Sequence, residues 1–537
     1  MTPDTRRRLQ VAWQAMQQGR LAVAAEQARA SVEAEPDAFD AWRMLGVIEH
    51  ALGRAAAGNE AFRRSLQLRP GDAAAALDLG TALLNGGDAQ AALPWLRQAV
   101  AGLPSDARAA FRRATAAYSA ARFDEACEGF AAATRLDPAW VEAWSNLAAA
   151  HGAMQAYPEA IAAARQAVAL QPDGAEVHVS LALLLSNLFD AASLDAGQQA
   201  VSRALTLAPA HAAAHRAAAL LHRKQGNGAL AEAHARTAVQ LDPADIESLQ
   251  WLGEQQVFNG DPAAAVGTFE GAAARGLETP VLRRQRAIAL LSAGRAADAI
   301  DLLQPMLDEC PDDQRVIAHM GVALACDRGA DAGSGFLGLD RHVTRVALGV
   351  PPGFPDAPAF HRALADDIRA HSRQRWEPAG LAARQAYLSG DLLADRTPAI
   401  LGFERMLREA IDAFIGGLRR DPGDAFLRGV PDRYHLHVWA TRASGPGYID
   451  THIHEESWLS GAYYVELPPA VQDDHQGWIE FGRPYGSLPP HEFRVRAERP
   501  VVGDLLLFPS YLFHRTLPCG GDRERERLSI SFDLAAA

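Results

Sequence analysis

Cysteine is scarce in this 537-residue chain: Cys127, Cys310, Cys326 and Cys519 are the only four, and none stands in a CxxC spacing. That excludes a disulfide-stapled fold and a zinc knuckle, and it points to a reducing compartment. Long apolar runs are missing too. No stretch reaches the ~18 uninterrupted apolar residues of a membrane span. The opening MTPDTRRRLQVAWQAMQQGR has basic residues but neither an apolar h-region nor a small-residue cleavage site, so a soluble, cytoplasmic protein with no membrane partner is expected. Positive charge is also not in excess. The 52 Lys and Arg stand against 65 Asp and Glu, a net charge of −13, the opposite of what a protein neutralising many phosphates needs. No nucleic-acid partner is expected. What is present is ordinary globular material, 49% hydrophobic and 22% charged, which excludes wholesale disorder and a fibrous chain. At about 150 residues per domain the length implies three or four domains, or fewer if one region is a repeat array.

A repeat array is written in the prolines. Pro36, Pro70, Pro104, Pro138 and Pro172 follow one another at intervals of 34, Pro209 comes 37 later, Pro243 after 34 and Pro311 after 68. Around them the text recurs: EAEPDAFDAW, QLRPGDAAAA, RLDPAWVEAW, ALQPDGAEVH and QLDPADIESL. Each is an apolar helix end, a proline stop and a fresh helix start, so the unit is helix, turn, helix. Trp42, Leu45, Gly46, Phe62 and Pro70 in one unit, and Trp144, Leu147, Ala160, Ala167 and Pro172 in another, carry spacings that resemble the tetratricopeptide repeat. Nine helical pairs run to Pro311, with QRVIAHMGVALACDRG as a capping helix, so the first domain is expected over residues 1–328. The extra residues of the 37-residue step, in SNLFDAASLDAGQQA, are expected to lengthen the loop between the two helices of that unit.

At about residue 328 the alanine-rich composition stops. GADAGSGFLGLDRHVTRVALGVPPGFPDAP reads as a linker, and helical periodicity returns in FHRALADDIRAHSRQR and ERMLREAIDAFIGGLRR. Residues 329–432 are therefore expected to be a linker and helical flank. Beyond Asp432 the pattern turns to short alternating runs such as YHLHVWATR, WLSGAYYVELP and RLSISFDL. Roughly eight strands over 433–537 suit a double-sheet jelly roll. The expected fold is thus multidomain: an all-α repeat solenoid followed by a double-stranded β-helix with flanking helices.

Chemistry concentrates in that last region. In Asp450-Thr451-His452-Ile453-His454-Glu455-Glu456, alternate residues of an extended segment face one side, so His452 and His454, or His454 and Glu456, can share a pocket. A later strand can bring His514 opposite. Two imidazoles plus one further ligand, with positions left open, is the arrangement of mononuclear non-haem Fe(II) oxygenases. In the last strand Arg527 can hold a carboxylate with the Ser529 hydroxyl beside it.

The segments HIHEESWLSGAYYVELP, GWIEFGRP, GDLLLFPSYLFHRTLP and ERLSISFD, in that order, resemble the 2-oxoglutarate/Fe(II) oxygenase family often found behind tetratricopeptide repeats in bacteria. The resemblance covers about residues 340–537. It implies Fe(II) and O2 as cofactor and oxidant, 2-oxoglutarate as co-substrate, His452, His454 and His514 as metal ligands, and Arg527 as the carboxylate anchor. The wider superfamily usually has HxD or HxE where this chain has HxH, so Glu456 stands as the alternative third ligand to His452. Of the adjacent Tyr463 and Tyr464 only one can face the co-substrate, and Tyr463 is taken for that place. Arg523 and Arg525, in the loop before Arg527, are expected to be solvated, as are His475 and His491. His435 and His437 repeat the HxH spacing without the family context and are expected to be structural. Trp439, Trp458 and Trp478 are expected in the core of the β unit.

The implied activity is an Fe(II)- and 2-oxoglutarate-dependent dioxygenase hydroxylating a protein or peptide held on the concave face of the repeats. The rival expectations are a non-catalytic scaffold with a degenerate jelly roll, and a cupin-like three-histidine metalloenzyme that does not use 2-oxoglutarate.

Overall fold

The computed structural model describes residues 1–188, 190–371, 382–471, 475–486, 488, 491–519 and 526–536, with the backbone alone at 374–376 and 472. The chain divides into two compact units, Met1–Gln225 and Gly226–Ala537.

The first unit is a stack of antiparallel helix pairs, beginning Pro3–Gln17 with Leu21–Ala34 and Phe39–Ala51 with Ala55–Leu68. Close approach within a pair depends on missing side chains. A Cβ at Gly46 would lie 2.5 Å from the Phe62 ring, and one at Gly80 would lie 2.6 Å from Leu96. The turn inside the pair needs a left-handed residue, supplied by Gly53 at φ +74°. The recurring proline also explains the residue six positions after it. Trp42 and Trp144 donate their indole N–H to the carbonyls of Pro36 and Pro138 at 2.7 and 3.0 Å, and the His178 Nε2 meets the Pro172 carbonyl at 2.9 Å. A ring N–H there satisfies a carbonyl that the interrupted helix leaves open. The 37-residue step is built differently from expectation. Its extra residues do not simply lengthen the loop: the second helix, Ala191–Leu207, has 17 residues where Tyr157–Leu170 has 14, and Asp190 caps it by accepting from the Ser193 N–H.

The second unit begins with the helix Gly228–Leu241 and the repeat helices after it, and does not break at 328. Gln314–Arg328 is followed at once by the helix Ala330–Leu337, against which Gly321 packs so closely that a Cβ would meet Leu337 at 2.4 Å. The expected capping helix is the first member of a further pair. One hydrophobic core runs from Leu290 and Met320 through Leu337 and Phe403 to Tyr464 and Phe532. Composition changes at 328, but packing does not.

The sequence expected as linker and helical flank also supplies strands. β1 (Thr344–Ala347), β2 (Gln374–Trp376) and β3 (Ala383–Ser389) precede β4 (Tyr434–Ile449), β5 (Leu459–Glu466), β6 (Ile479–Phe481), β7 (Arg496–Glu498), β8 (Asp504–Pro509), β9 (His514–Thr516) and β10 (Glu526–Ala536). They form an antiparallel seven-stranded sheet, β1-β8-β5-β10-β4-β3-β2, and a three-stranded sheet, β7-β6-β9. This is the double-sheet jelly roll. The helices Ala357–Ala370 and Pro398–Gly417 bury Phe360, Leu364, Phe403 and Leu407 completely. They cover one face of the large sheet at Tyr463, whose ring lies 5.1 Å from that of Phe403. The opposite face is left to line a cavity. Among the described residues no helix is long and apolar enough to cross a membrane.

Candidate metal centre

The cavity has a volume of about 450 Å³ and is bounded by β4, β5, β8, β10 and the segments carrying His452, His454 and His514. The two histidine segments are 60 residues apart and are pinned by backbone pairing. His452 and His514 exchange N–H···O bonds, both 3.0 Å, and the His454 N–H donates to the Ser510 carbonyl at 3.0 Å. The three rings gather as a result. Their centroids are 4.2–5.1 Å apart, and one ligand atom from each lies within 4.8 Å of the others.

Hydrogen bonding fixes which nitrogens are available. The Nδ1–H groups of His452 and His514 donate to the carbonyls of Asp450 (2.8 Å) and Leu512 (2.9 Å), and the His454 Nδ1–H donates to Asp533 Oδ2 at 2.8 Å. Each Nδ1 is thus committed to an acceptor, which leaves Nε2 as the nitrogen of each ring open to a metal. Burial pushes His514 well below the ordinary imidazole range and His452 down to about 4, and neighbouring imidazoles add to both shifts. These two rings are therefore neutral at pH 7. Yet the Nε2 atoms of His454 and His514 face each other at 3.3 Å. At that separation either one ring donates an N–H to the other or a cation lies between the two nitrogens, and the second arrangement fits a divalent metal with imidazole ligands.

Glu456 does not reach this cluster. Its side chain is 92% exposed and lies 4.0 Å from Arg315, which also pairs with Glu455. Of the two expected ligand sets, the geometry assembles the three histidines.

Arg527 and Ser529 line the same cavity. The guanidinium is 2% exposed and donates to the Gly477 carbonyl at 3.0 Å and to Thr516 Oγ1 at 2.7 Å. Burial lowers its pKa from the ordinary arginine value, although arginine remains cationic in a protein. Among the described residues it makes no ion pair. An enclosed cation that faces a cavity and is paired with no carboxylate among the described residues is suited to an anionic ligand. Arg523 and Arg525 lie outside the described residues.

The tyrosine assignment is reversed. Tyr463 points into the helical layer, where its hydroxyl is hydrogen-bonded to His361 Nε2 at 2.8 Å, whereas Tyr464 lines the cavity. Burial holds the Tyr464 hydroxyl up at about 12, so it stays a neutral donor. Trp458 is core, stacked on Phe426 at 4.4 Å, but Trp439 lines the cavity with its ring 5.8 Å from His454. His435, His437, His475 and His491 are exposed.

The residue that sequence reasoning missed is Asp533. Its Oδ2 accepts from His454, its Oδ1 accepts from the Ser460 hydroxyl at 2.7 Å, and Ser510 donates in turn to Ser460 at 2.8 Å. A signal was available. Arg527, Ser529, Ser531 and Asp533 are alternate residues of one strand, and all four line the cavity.

Known families agree with both halves of this description. The family model described as "Tetratricopeptide repeat" matches residues 10–73, 52–107, 77–139, 183–246 and 252–314, and the one described as "Putative 2OG-Fe(II) oxygenase" matches residues 437–533. The chain therefore carries tetratricopeptide repeats and, behind them, a region that matches the model described as "Putative 2OG-Fe(II) oxygenase". Similar solved structures include MamA residues 41–end from Desulfovibrio magneticus RS-1, 21% identical, covering 32% of this chain and 97% of that one, TM-score 0.31. A tetratricopeptide repeat protein from Parabacteroides merdae is 14% identical over 48% of this chain and 100% of that one, TM-score 0.37. PilF of Pseudomonas aeruginosa is 19% identical over 41% and 98%, TM-score 0.33. No curated protein matches the chain.

Proposed function

We propose that the protein is an Fe(II)- and 2-oxoglutarate-dependent dioxygenase that hydroxylates a protein or peptide recruited by its repeats, in a reducing, cytoplasmic setting. The observation that carries this reading is one cavity holding three convergent imidazoles and a buried Arg527 without a carboxylate partner among the described residues. Bound Fe(II), with O2 and 2-oxoglutarate, supplies the oxidising power for an unactivated C–H bond. The chain's own residues do the rest. His452, His454 and His514 hold the metal through Nε2, because their Nδ1–H groups are already committed. Asp533 and the backbone carbonyls keep the rings turned inward. Arg527 takes the distal carboxylate of the co-substrate, with Ser529 and Tyr464 as neutral donors beside it. Apolar walls, including Ile449, Ile453 and Phe508, limit water in the cavity.

A polypeptide substrate is supported by the repeats, whose long stacked surface suits an extended chain better than a metabolite. The test is succinate formation from 2-oxoglutarate by anaerobically Fe(II)-loaded protein on admission of O2. Turnover that needs both His514 and Arg527 is expected. Failure to bind Fe(II) would leave the scaffold reading ahead. The all-histidine ligand set favours a second reading, a three-histidine metalloenzyme that does not use 2-oxoglutarate. That reading predicts metal binding with a reaction indifferent to Arg527→Ala.

A further inference from the structure

A second group of metal-ligating side chains lies in the first unit, between two successive repeats. Cys127 is on the helix Phe123–Leu136, His151 is near the end of the helix Val141–Ala153, and Met154 is the residue that caps that helix. The Cys127 Sγ is 3.7 Å from His151 Nδ1 and 3.7 Å from the Met154 Sδ. Ligand atoms held in a trigonal set by one ion at about 2.0–2.3 Å are about 3.5–4.0 Å apart, so both separations from the Cys127 Sγ need almost no rearrangement to accept one.

The 34-residue period supplies an internal control. The positions equivalent to 127, 151 and 154 are Leu93, Ala117 and Ala120 in the preceding repeat and Ile161, Leu185 and Leu188 in the following one. Both sets belong to the apolar packing between repeats. Only in the unit between them are all three places taken by a thiol, an imidazole and a thioether. The packing role those positions play does not call for three donors at once. Cys127 and His151 are half-buried and Met154 is 38% exposed, so an ion can reach the trio from solvent.

We propose that Cys127, His151 and Met154 form a binding site for a soft monovalent metal ion, Cu(I), bridging two adjacent repeats. Thiolate and thioether donors select Cu(I) over the harder divalent ions, and a single imidazole completes a three-coordinate set. Burial, and after it the Asp124 carboxylate, hold the Cys127 thiol above its ordinary value, so the metal-free thiol is protonated at neutral pH. Binding exchanges one ion for one proton: the S–H bond breaks, the S–Cu bond forms, and H⁺ leaves to solvent with no change of oxidation state. The site is independent of the oxygenase reading.

The test uses the full chain under anaerobic conditions with Cu(I) as the probe, in competition with a chromophoric Cu(I) chelator. The comparison is the triple variant Cys127→Ile, His151→Leu, Met154→Leu, which installs the residues of the next repeat and is compatible with the fold by that precedent. The three-histidine cluster and the other cysteines are common to both proteins. Wild type is expected to hold one Cu(I) equivalent more than the variant, with sulfur and nitrogen neighbours in the X-ray absorption spectrum. Equal uptake by wild type and variant would overturn the proposal and leave the trio as packing. Should the triple variant misfold, Cys127→Ser serves alone, and retention of the extra equivalent by that variant would overturn the proposal equally.

Discussion

The repeats and the jelly roll are stabilised over different distances along the chain. In the repeats the defining contacts are local: Trp42 bonds the Pro36 carbonyl six residues away, and Gly46 admits a ring from the partner helix of its own pair. In the jelly roll His454 meets His514 across 60 residues and Asp533 across 79. A periodic array can be altered unit by unit, whereas the cavity depends on distant segments arriving together. Damage in the repeats should therefore be graded and local, and damage at the cavity should be functional and abrupt.

The largest effect is expected from His514→Ala, which removes one of three converging Nε2 atoms. Fe(II) binding and 2-oxoglutarate turnover should both fall to background, measured by metal titration and succinate release. Persistence of both would remove His514 from the metal site under either expected ligand set and break the contrast drawn above. Next comes Leu79→Ala at a fully buried repeat position, expected to cost about 2–5 kcal/mol of stability in the first unit. Its denaturation midpoint should drop while Fe(II) affinity is unchanged, and a parallel loss of iron binding would show that the two units are coupled.

Acid should discriminate between the regions as well. His319 is fully buried in the second unit, donates through Nδ1–H to the Arg315 carbonyl at 2.7 Å, and is held down to about 4 by burial. Unfolded, it titrates near the ordinary value of 6.5. Between those values the unfolded chain binds the extra proton, so stability is present above about 6.5 and falls as pH drops towards 4, by about 3 kcal/mol at most. His319→Met should flatten that acid limb in pH-dependent unfolding, and an unchanged limb would assign it to other groups.

Two smaller effects sharpen the picture inside the cavity. Arg527→Ala should raise the KM for 2-oxoglutarate about 10–100-fold, the value of a charge-assisted hydrogen bond, with Fe(II) affinity retained. An unchanged KM favours the reading without 2-oxoglutarate. Asp533→Asn keeps the shape but loses the carboxylate that orients His454, and metal affinity should fall about 10–100-fold. The Co(II)-substituted protein should show a shifted ligand-field spectrum, which a purely structural role for Asp533 would leave unmoved.

Legibility follows the same contrast. The helix pairs could be read because a local contact leaves a local trace: a proline every 34 residues, an indole six residues after it, a small residue where helices meet. The three histidines and Arg527 could be named as candidates from strand alternation together with the family resemblance, and alternation alone left Glu456 open. The strands β1 to β3 were hidden, because short runs such as Thr344–Ala347 become strands only by pairing with β8, about 160 residues away. The side of β5 that each tyrosine takes was equally hidden. Tyr463 and Tyr464 are chemically alike, and which of them enters the cavity depends on where the helices Ala357–Ala370 and Pro398–Gly417 cover the sheet.

By itself the amino-acid order determined the repeat, its period, the change to alternating strands and the residue types able to bind a metal, since each rests on short-range sterics and hydrophobic periodicity. Tertiary structure alone decided that the last repeats share a core with the jelly roll, that Glu456 turns to Arg315 while His452 joins His454 and His514, and that Asp533 stands behind His454. The physical reason is that burial and lone-pair direction belong to neighbours brought together by folding, and no spacing along the chain encodes them.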